Sequence, residues 1–446
     1  MIRKDIDVME NKVVVVGGGA SGLAAAIFAA ENGADVNVLE HQDRVGKKIL
    51  MTGNGKCNLT NMGDVHGKYY SSDEASLNKI YDTLARFDAR KTRDFFKRIG
   101  LYTKEKRDGG VYPVSEQASI VLDVLRSACA RLGVTIRTDC EVTSVVSGKT
   151  DGVVSVIQYI RQEQEQNKAG GKNKKNAVIS RKKEALRYDR LILATGGKAA
   201  PVSGSDGSGY RLAKKLGHCI IEPLPALVQL KCQGDYFKAV SGVRAQSRLM
   251  LYIDGNPAAG EEGELQLTDY GISGIPVFQF SRLASRALFE GRGCEVGINF
   301  IPYIDNLADV YTIHFQDKTV EEFLSGLVHK KVAALICRRN GISAGMPVGQ
   351  AGEGKVRECL KMLGDFRVTV TAPNAFENAQ VCCGGVPLGE TDDNFASRKC
   401  RNVYLVGELL DCDGVCGGYN LQWAWATGAI AGAAAAGRAI EKEDWK

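Results

Sequence analysis

At 446 residues, with 44% hydrophobic and 25% charged side chains, the chain is long enough for two or three domains and has the composition of a globular protein in water. A net charge of +6 invites a nucleic-acid partner, but residues 161–187 hold nine Lys and Arg against three Asp and Glu, so the rest of the chain is balanced. Thirteen cysteines without a repeating spacing, and an opening "MIRKDIDVMENK" without an apolar run, give no sign of a disulfide framework or a signal peptide; free thiols in the cytoplasm are expected.

In chain order, "NKVVVVGGGASGLAAAIFAAENGADVNVLE" comes first, from Asn11 to Glu40. Four consecutive valines read as a strand buried on both faces of a parallel sheet, the Ala-rich run as a helix stopped at Asn32-Gly33, and "DVNVLE" as a second strand, giving a β-α-β unit. "ASLNKIYDTLARFDARKTRDFFKRIG" and "QASIVLDVLRSACARLG" have helical spacing and each ends on Gly. "VTIRTDCEVTSVVSG" and "VVSVIQYI" alternate as strands do, and "YDRLILATGG" is another buried strand. The basic stretch 161–187, with "AGG" near its middle, reads as a solvated hairpin tip.

After about Lys198 the character changes. "SRLMLYIDG", "GELQLTDYG", "CEVGINFIPY" and "FRVTVTAP" alternate apolar and polar residues, as an antiparallel sheet or barrel does. One helix is expected within them: Thr319 and Glu322 form a capping box, and apolar residues from Val320 to Ile336 keep helical spacing. "NVYLVGELLD", from Asn402, returns to parallel-sheet language. The expected fold is therefore a doubly wound α/β domain over 1–198 and 375–446, interrupted by an inserted antiparallel β-rich domain over 199–374 with a helical part near 305–345.

Gly17, Gly19 and Gly22 form G-x-G-x-x-G between a strand and a helix, and Glu40 ends the next strand. The glycines allow a tight turn and close backbone approach to a pyrophosphate, which the helix N-terminus would hold; Glu40 would accept from ribose hydroxyls and repel a 2′-phosphate. FAD or NAD is expected there rather than NADP. Ala194–Gly197 ("ATGG") and Tyr404–Glu408 ("YLVGE") resemble the A-T-G-G and Y-x-x-G-[DE] strands of flavoproteins of the glutathione-reductase type, which favours FAD. The last apolar run, Leu421 to Gly437, is only 17 residues and is broken by Gln422 and Thr427, so it reads as a packed helix rather than a membrane span.

The ordered set "GGGASGLAAA", "GKKILMTGNGKCNLTN", "GGVYPVSEQAS", "GSDGSGYRLAKKLGH", "YGISGIP" and "GELLDCDGVCGGYNLQWAWATG" resembles a bacterial NAD(P)/FAD-dependent oxidoreductase family, the aminoacetone-oxidase-type flavoproteins, which includes a reductase of 3-dehydro-4,6-unsaturated bile acids. The resemblance runs end to end. It implies FAD contacts at Gly17, Gly19, Ala20, Ser21 and Gly22, at Glu40 and His41, and at Lys47 and Lys48. It also implies contacts at Gly53, Asn54, Gly55, Cys57 and Asn58, at Val142, at Thr195, Gly196 and Gly197, at Gly407 and Glu408, and at Asn420, Leu421 and Gln422. Two positions depart from the family pattern: Lys56 stands where Arg is frequent, and "DYGISGIP" has Asp269 in place of a His and Ile275 before Pro276.

Cys57 is the only cysteine before Cys129, so no local dithiol forms beside the flavin; adjacent Cys382 and Cys383 suit redox chemistry poorly, and no His accompanies Cys412 and Cys416 to make a zinc site. Cys57 reads as a flavin-side packing residue. A second G-x-G-x-x-G unit is missing, so NAD(P)H is expected as a transient electron donor that docks against the flavin. The expected reaction is NAD(P)H-linked reduction of a carbon–carbon double bond conjugated to a ketone in a small, steroid-like substrate, with Tyr419 and Tyr112 as candidate proton donors. Oxidation of a small amine or alcohol competes with it. A non-redox alternative makes FAD structural in an RNA- or partner-binding protein that uses the 161–187 segment. The sequence says little about oligomeric state.

Overall fold

The computed structural model describes residues 11–161, 178–304 and 315–442. The centre of the basic segment, 162–177, and much of the front of the expected helical part, 305–314, lie outside the described residues. The chain divides into two compact units, residues 1–223 with 381–446 and residues 224–380.

In the first unit, β1 (Lys12–Val16), α1 (Ala20–Glu31) and β2 (Asp35–Leu39) form the β-α-β unit. Val13 to Val16 are buried, as a strand covered on both faces requires. A short helix, α2 (Lys47–Met51), leads through an exposed loop to β3 (Thr60–Asn61) and β4 (Tyr69–Tyr70). The stretch expected as one helical run is two, α3 (Ser76–Arg86) and α4 (Ala89–Arg98), because Asp88 stops the first and caps the second by accepting from the Lys91 N–H at 2.8 Å. There follow β5 (Thr103–Glu105), β6 (Gly110–Pro113), α5 (Ala118–Arg131), β7 (Thr135–Arg137) and an antiparallel meander of β8 (Cys140–Ser147), β9 (Gly152–Arg161) and β10 (Val178–Tyr188). The basic segment thus joins two hairpin strands, while its tip falls outside the described residues.

β11 (Arg190–Leu193) and α6 (Ser208–Lys215) still belong to this unit, which moves the expected boundary at 198 to residue 223. The reason is packing: Leu212 and Ala213 of α6 are buried in the first unit's core, and Gly209 lies so close to Thr195 that any side chain there would overlap it.

β12 (Ile221–Ala226) leads into the second unit. Its core is a closed antiparallel barrel in the order β13-β16-β15-β14-β17-β18, formed by β13 (Leu230–Cys232), β14 (Arg244–Ile253), β15 (Asn256–Leu267), β16 (Gly271–Ser273), β17 (Cys294–Asn299) and β18 (Phe366–Pro373). Alternate residues of β14 and β18, such as Leu249, Leu251, Val368 and Val370, face the interior. Asp254 and Gly255, at φ 51° and 79°, make the two-residue turn joining β14 to β15. Two helices go with the barrel, α7 (Phe237–Val240) and α8 (Ile275–Phe289), the latter opened by Pro276 in its first turn.

The capping box at Thr319 is present, but the helix it starts ends early: α9 (Val320–Ser325) stops at Gly326, and α10 (Lys330–Arg339) begins afresh. A further helix, α11 (Val348–Gly364), is kinked at Gly352, φ 79°; that glycine and Gly354 conceal it from a periodicity argument. Residues 375–380 stay with the second unit, where Gln380 N–H reaches the Leu227 carbonyl at 3.3 Å.

The chain re-enters the first unit through β19 (Val381–Gly385), β20 (Val403–Leu405), β21 (Asp413–Gly414) and α12 (Tyr419–Ala435). β20 completes a parallel sheet of order β20-β11-β1-β2-β7. α12 lies directly on α1: a side chain at Gly428 or Gly432 would run into the carbonyl oxygens of Ser21 or Ala25. Among the described residues no helix is long and apolar enough to cross a membrane. Gly432→Ala, which forces these helices apart, should cost about 1–3 kcal/mol; a urea unfolding midpoint equal to that of the parent would show that the helices can separate freely.

Candidate functional site

The strongest local constraint is the turn from β1 to α1. Gly17 has φ 102° and abuts the Ala194 carbonyl at the end of β11; Gly22 leaves no room for a side chain beside the Gly17 carbonyl. Gly19 is different, since a Cβ there would meet nothing within 4 Å, so open space lies before the helix. Gly19 caps α1 without a side-chain hydrogen bond, and neither acid nor cap occupies the first turn, where Ala20 and Ser21 sit. The free N–H groups and partial positive charge of the helix end are left for an anion.

Glu40 stands at the mouth of this turn, 8% exposed, with Oε2 accepting from the Gly18 N–H and Oε1 from the Gln42 N–H, both at 2.8 Å. Gly204 lies against the same corner, its Cβ direction 3.2 Å from His41 Nε2 and 3.6 Å from Glu40 Oε1. Val142 is tied in through β8, because Cys140 two residues earlier donates to the Glu40 carbonyl at 2.8 Å. Glu40, His41 and Val142 are therefore brought together. The segment around Gly204 and Ser205 joins them, and sequence reasoning did not assign it to the site, although "GSDGSG" marks it as a glycine-rich turn before a helix.

Thr195, Gly196 and Gly197 follow β11 beside the glycine turn, with Gly196 at φ 70°. Thr195 Oγ1 and Ser205 Oγ are buried without a hydrogen-bond partner, and so is Asn58 Oδ1 farther along. Orphaned buried acceptors and donors of this kind call for a partner from outside the chain, and a dinucleotide lying along this edge would supply one. The residues present fit FAD.

Gly407 and Glu408 follow β20. Gly407, φ 68°, presses on Ser21, and its N–H donates to Thr427 Oγ1 at 3.0 Å, which joins this turn to α1 and α12. Glu408 and Lys48, both expected at the cofactor, pair with each other at 2.6 Å with side chains 19% and 27% exposed, while the Cys382 N–H donates to the other carboxylate oxygen at 2.9 Å. Lys47 is directed elsewhere, to Gln42 Oε1 at 2.7 Å and Asp43 at 2.6 Å.

α12 begins behind Gly418, φ 100°, again with no side-chain cap and no acid in its first turn, so its N-terminus is a second uncompensated positive end. Any side chain at Gly418 would crowd the Thr60 backbone at 2.7 Å and Asn58 Oδ1 at 2.9 Å, so the segment after Cys57 lies against the helix start. Asn420 clamps the preceding loop, accepting from the Gly414 N–H at 2.8 Å and donating to its carbonyl at 2.7 Å. Leu421 follows it in the first turn. Gln422 is committed to the core: its Oε1 accepts from Thr60 and Thr92 at 2.7 and 2.8 Å, and its Nε2 donates to the Phe87 carbonyl at 2.7 Å. The Gln422 side chain is thereby held within the chain.

The loop Gly53, Asn54, Gly55 is exposed and left-handed at all three residues, φ 55°, 54° and 80°, and Cys57 repeats that conformation at φ 57°. Cys57 itself is fully buried, and burial pushes its thiol up to about 12. A thiolate is the nucleophilic form of cysteine, and burial disfavours it at this position. Tyr112 stands next to the loop, its ring 3.6 Å from the Cβ direction of Gly53. Tyr419, at the start of α12, forms one wall of a cavity of about 380 Å³ shared with Asn61, Val65, His66, Tyr81 and Leu84. Burial first, then nearby acids (Asp108 for Tyr112, Asp64 and Asp108 for Tyr419), holds both phenols above their ordinary value, so both keep their proton at neutral pH. Native-state iodoacetamide treatment should modify exposed Cys219 and spare Cys57, and Cys57→Ser should keep its flavin with turnover within about tenfold, or about 1.4 kcal/mol in barrier. Complete loss of turnover with flavin retained would restore a chemical role to the thiol.

A family model described as HI0933-like protein Rossmann domain matches residues 11–434. The chain is 38% identical over 437 residues to a 3-dehydro-bile acid delta(4,6)-reductase from Clostridium scindens, covering 96% of this chain and 100% of that protein. Ribosomal RNA dihydrouridine synthases from Escherichia coli and Haemophilus influenzae are similar at 25% and 26% identity, covering 93% of this chain in each case and 95% and 96% of theirs. The solved 3-ketosteroid delta1-dehydrogenase from Sterolibacterium denitrificans is similar with a TM-score of 0.46 at 12% identity, covering 96% of this chain and all of that one, too distant to bear on chemistry. With its parallel sheet, its glycine turn and a family match over almost its whole length, the chain belongs to the HI0933-like Rossmann family, and its fold is that of an FAD-dependent oxidoreductase.

Proposed function

We propose that this protein reduces a carbon–carbon double bond conjugated to a ketone in a 3-oxo, bile acid-like steroid, with NAD(P)H as the source of electrons. The observation that carries this reading is the 38% identity to a bile acid reductase over the whole of that protein. The names of the two kinds of relative agree on one chemistry, since a delta(4,6)-reduction of a 3-oxo steroid and the formation of dihydrouridine both saturate a double bond conjugated with a carbonyl.

The chain's own residues support it as follows. The Gly17–Gly22 turn and the uncapped end of α1 bind and orient a pyrophosphate, and Glu40 accepts from a ribose. Lys48, Glu408 and the uncapped end of α12 set the charge around the flavin end, the helix end favouring negative charge there. FAD, when bound, supplies hydride chemistry that no side chain has. Tyr419, neutral and facing a cavity, holds a proton at its phenol oxygen for the carbon next to the substrate's carbonyl. Among the described residues no second dinucleotide turn is present beside β1–α1, which supports a nicotinamide that visits rather than stays.

A second reading, a uridine in RNA as the reducible group, is favoured only by the dihydrouridine synthase relatives. Anaerobic mixing with NADH or NADPH should bleach the bound flavin, and a 3-oxo-4,6-diene bile acid should restore its colour faster than a uridine-containing ribosomal RNA fragment does. Bleaching by neither nucleotide would remove NAD(P)H from the proposal, and faster reoxidation by RNA would replace the substrate. Tyr419→Phe should keep its flavin and lose about 10²-fold in the reoxidation step, as expected for loss of a general acid, while Tyr112→Phe should change that step by less than about threefold, a factor worth about 0.6 kcal/mol.

A further inference from the structure

The ribbon of β5 and β6 carries a charge arrangement that the reductase reading does not use. Lys104 lies opposite Tyr112 in the strand register, and the Val114 N–H donates to the Tyr102 carbonyl at 3.0 Å. Side chains alternate along a strand, so Tyr102, Lys104 and Lys106 share one face with Tyr112 and Val114. At one end of that face Tyr102 and Val114 stand in water, 67% and 55% exposed. At the other end three lysines surround one carboxylate: Lys56, Lys104 and Lys106 reach Glu116 at 2.9, 2.8 and 3.7 Å, and Lys106 also lies 4.1 Å over the Tyr112 ring. Lys104 and Lys56 hold Glu116 down to about 2, so it stays ionised at any working pH. One carboxylate cannot neutralise three ammonium groups, and each retains protons to donate.

We infer that this face is a recognition site for a small amphipathic organic anion, a carboxylate seated on Lys56, Lys104 and Lys106 with an apolar body along Val114 and Tyr102. Glu116 is the positioning residue: it gathers three flexible side chains around one point and competes with the ligand for them. From Tyr102 to Lys106 the strand runs about 13 Å, a length that suits a rigid multi-ring body rather than a short-chain acid. Charge complementarity names the head group, and the exposed aromatic and aliphatic side chains name the body. The link to turnover rests on the reductase reading; binding does not.

The test is equilibrium calorimetry on the full-length, flavin-loaded protein. The probes are a 3-oxo bile acid, its methyl ester, NADH, NADPH and a ribosomal RNA fragment. The double variant Lys104→Gln/Lys106→Gln should bind the free acid at least tenfold more weakly, with flavin content unchanged. The methyl ester should bind the parent no better than it binds the variant. A loss of affinity confined to NADH and NADPH would overturn the inference. Glu116→Gln should move the other way, tightening binding of that same anion severalfold, which a misfolded variant would not do. Equal affinity of acid and ester for the parent, an effect confined to RNA, or weaker anion binding in Glu116→Gln would overturn the inference. Absence of any steroid turnover alongside lysine-dependent anion binding would count against the reductase reading alone.

Discussion

The turn between β1 and α1 is confined on three sides: by the carbonyl of Ala194 at the end of β11, by its own helix through Gly22, and by the Gly407 turn pressing on Ser21. No side chain larger than hydrogen fits at these contacts, so three crossings of the sheet are drawn to one point. Gly428 and Gly432 extend the same constraint along α12, whose backbone rides on α1. Residues more than 400 positions apart thereby become neighbours at the edge of the parallel sheet where strands end and helices begin, the place where folds of this kind bind nucleotides.

The distribution of charge follows from that arrangement. Both helix ends at the site, α1 and α12, lack a capping side chain and lack acids in their first turns. Side-chain caps are present on α4, α9 and α10, from Asp88, Thr319 and His329, whereas α3, α5, α6, α8 and α11 also lack one, so what sets the two site ends apart is the glycine turns and orphaned polar groups beside them. Leaving an end uncapped costs stability of about 1 kcal/mol and is reasonable where a ligand takes over the cap's role. The half-buried Lys48–Glu408 pair works differently: each partner satisfies the other, and the pair ties α2 to the turn after β20 across the cofactor edge.

Much of the site was legible in the sequence because its signals are local. A glycine turn between an apolar β-branched strand and an Ala-rich helix can be read from ten residues, and so can an acidic residue ending the next strand. What escaped was decided by neighbours far along the chain. The single helix expected after Thr319 is broken because Gly326 ends α9 and His329 caps a new start for α10, while the apolar spacing runs on across the break; α11 hides behind Gly352 and Gly354. Gln422 stands in a segment that the resemblance places at the cofactor, and Thr60, Thr92 and Phe87, more than 300 positions away, absorb its side-chain amide. Gly204 meets Glu40, and Ser205 meets Gly196, in the turn that leads into α6, whose Leu212 and Ala213 pack in the first unit's core.

By itself, the sequence determined the parallel sheet, the nucleotide class and the alternating strands of the inserted unit, because periodicity, turn glycines and strand-end acids act over a few residues. Only the tertiary structure decided where the inserted unit begins, that its strands close into a barrel, and that Lys48 serves Glu408. It also decided that three lysines gather on Glu116, and that the lone cysteine of "GNGKCNLTN" is buried while the glycines before it are exposed. Burial, pairing and orphaned polar atoms belong to contacts between distant segments, and no local pattern of residues encodes which segments will meet.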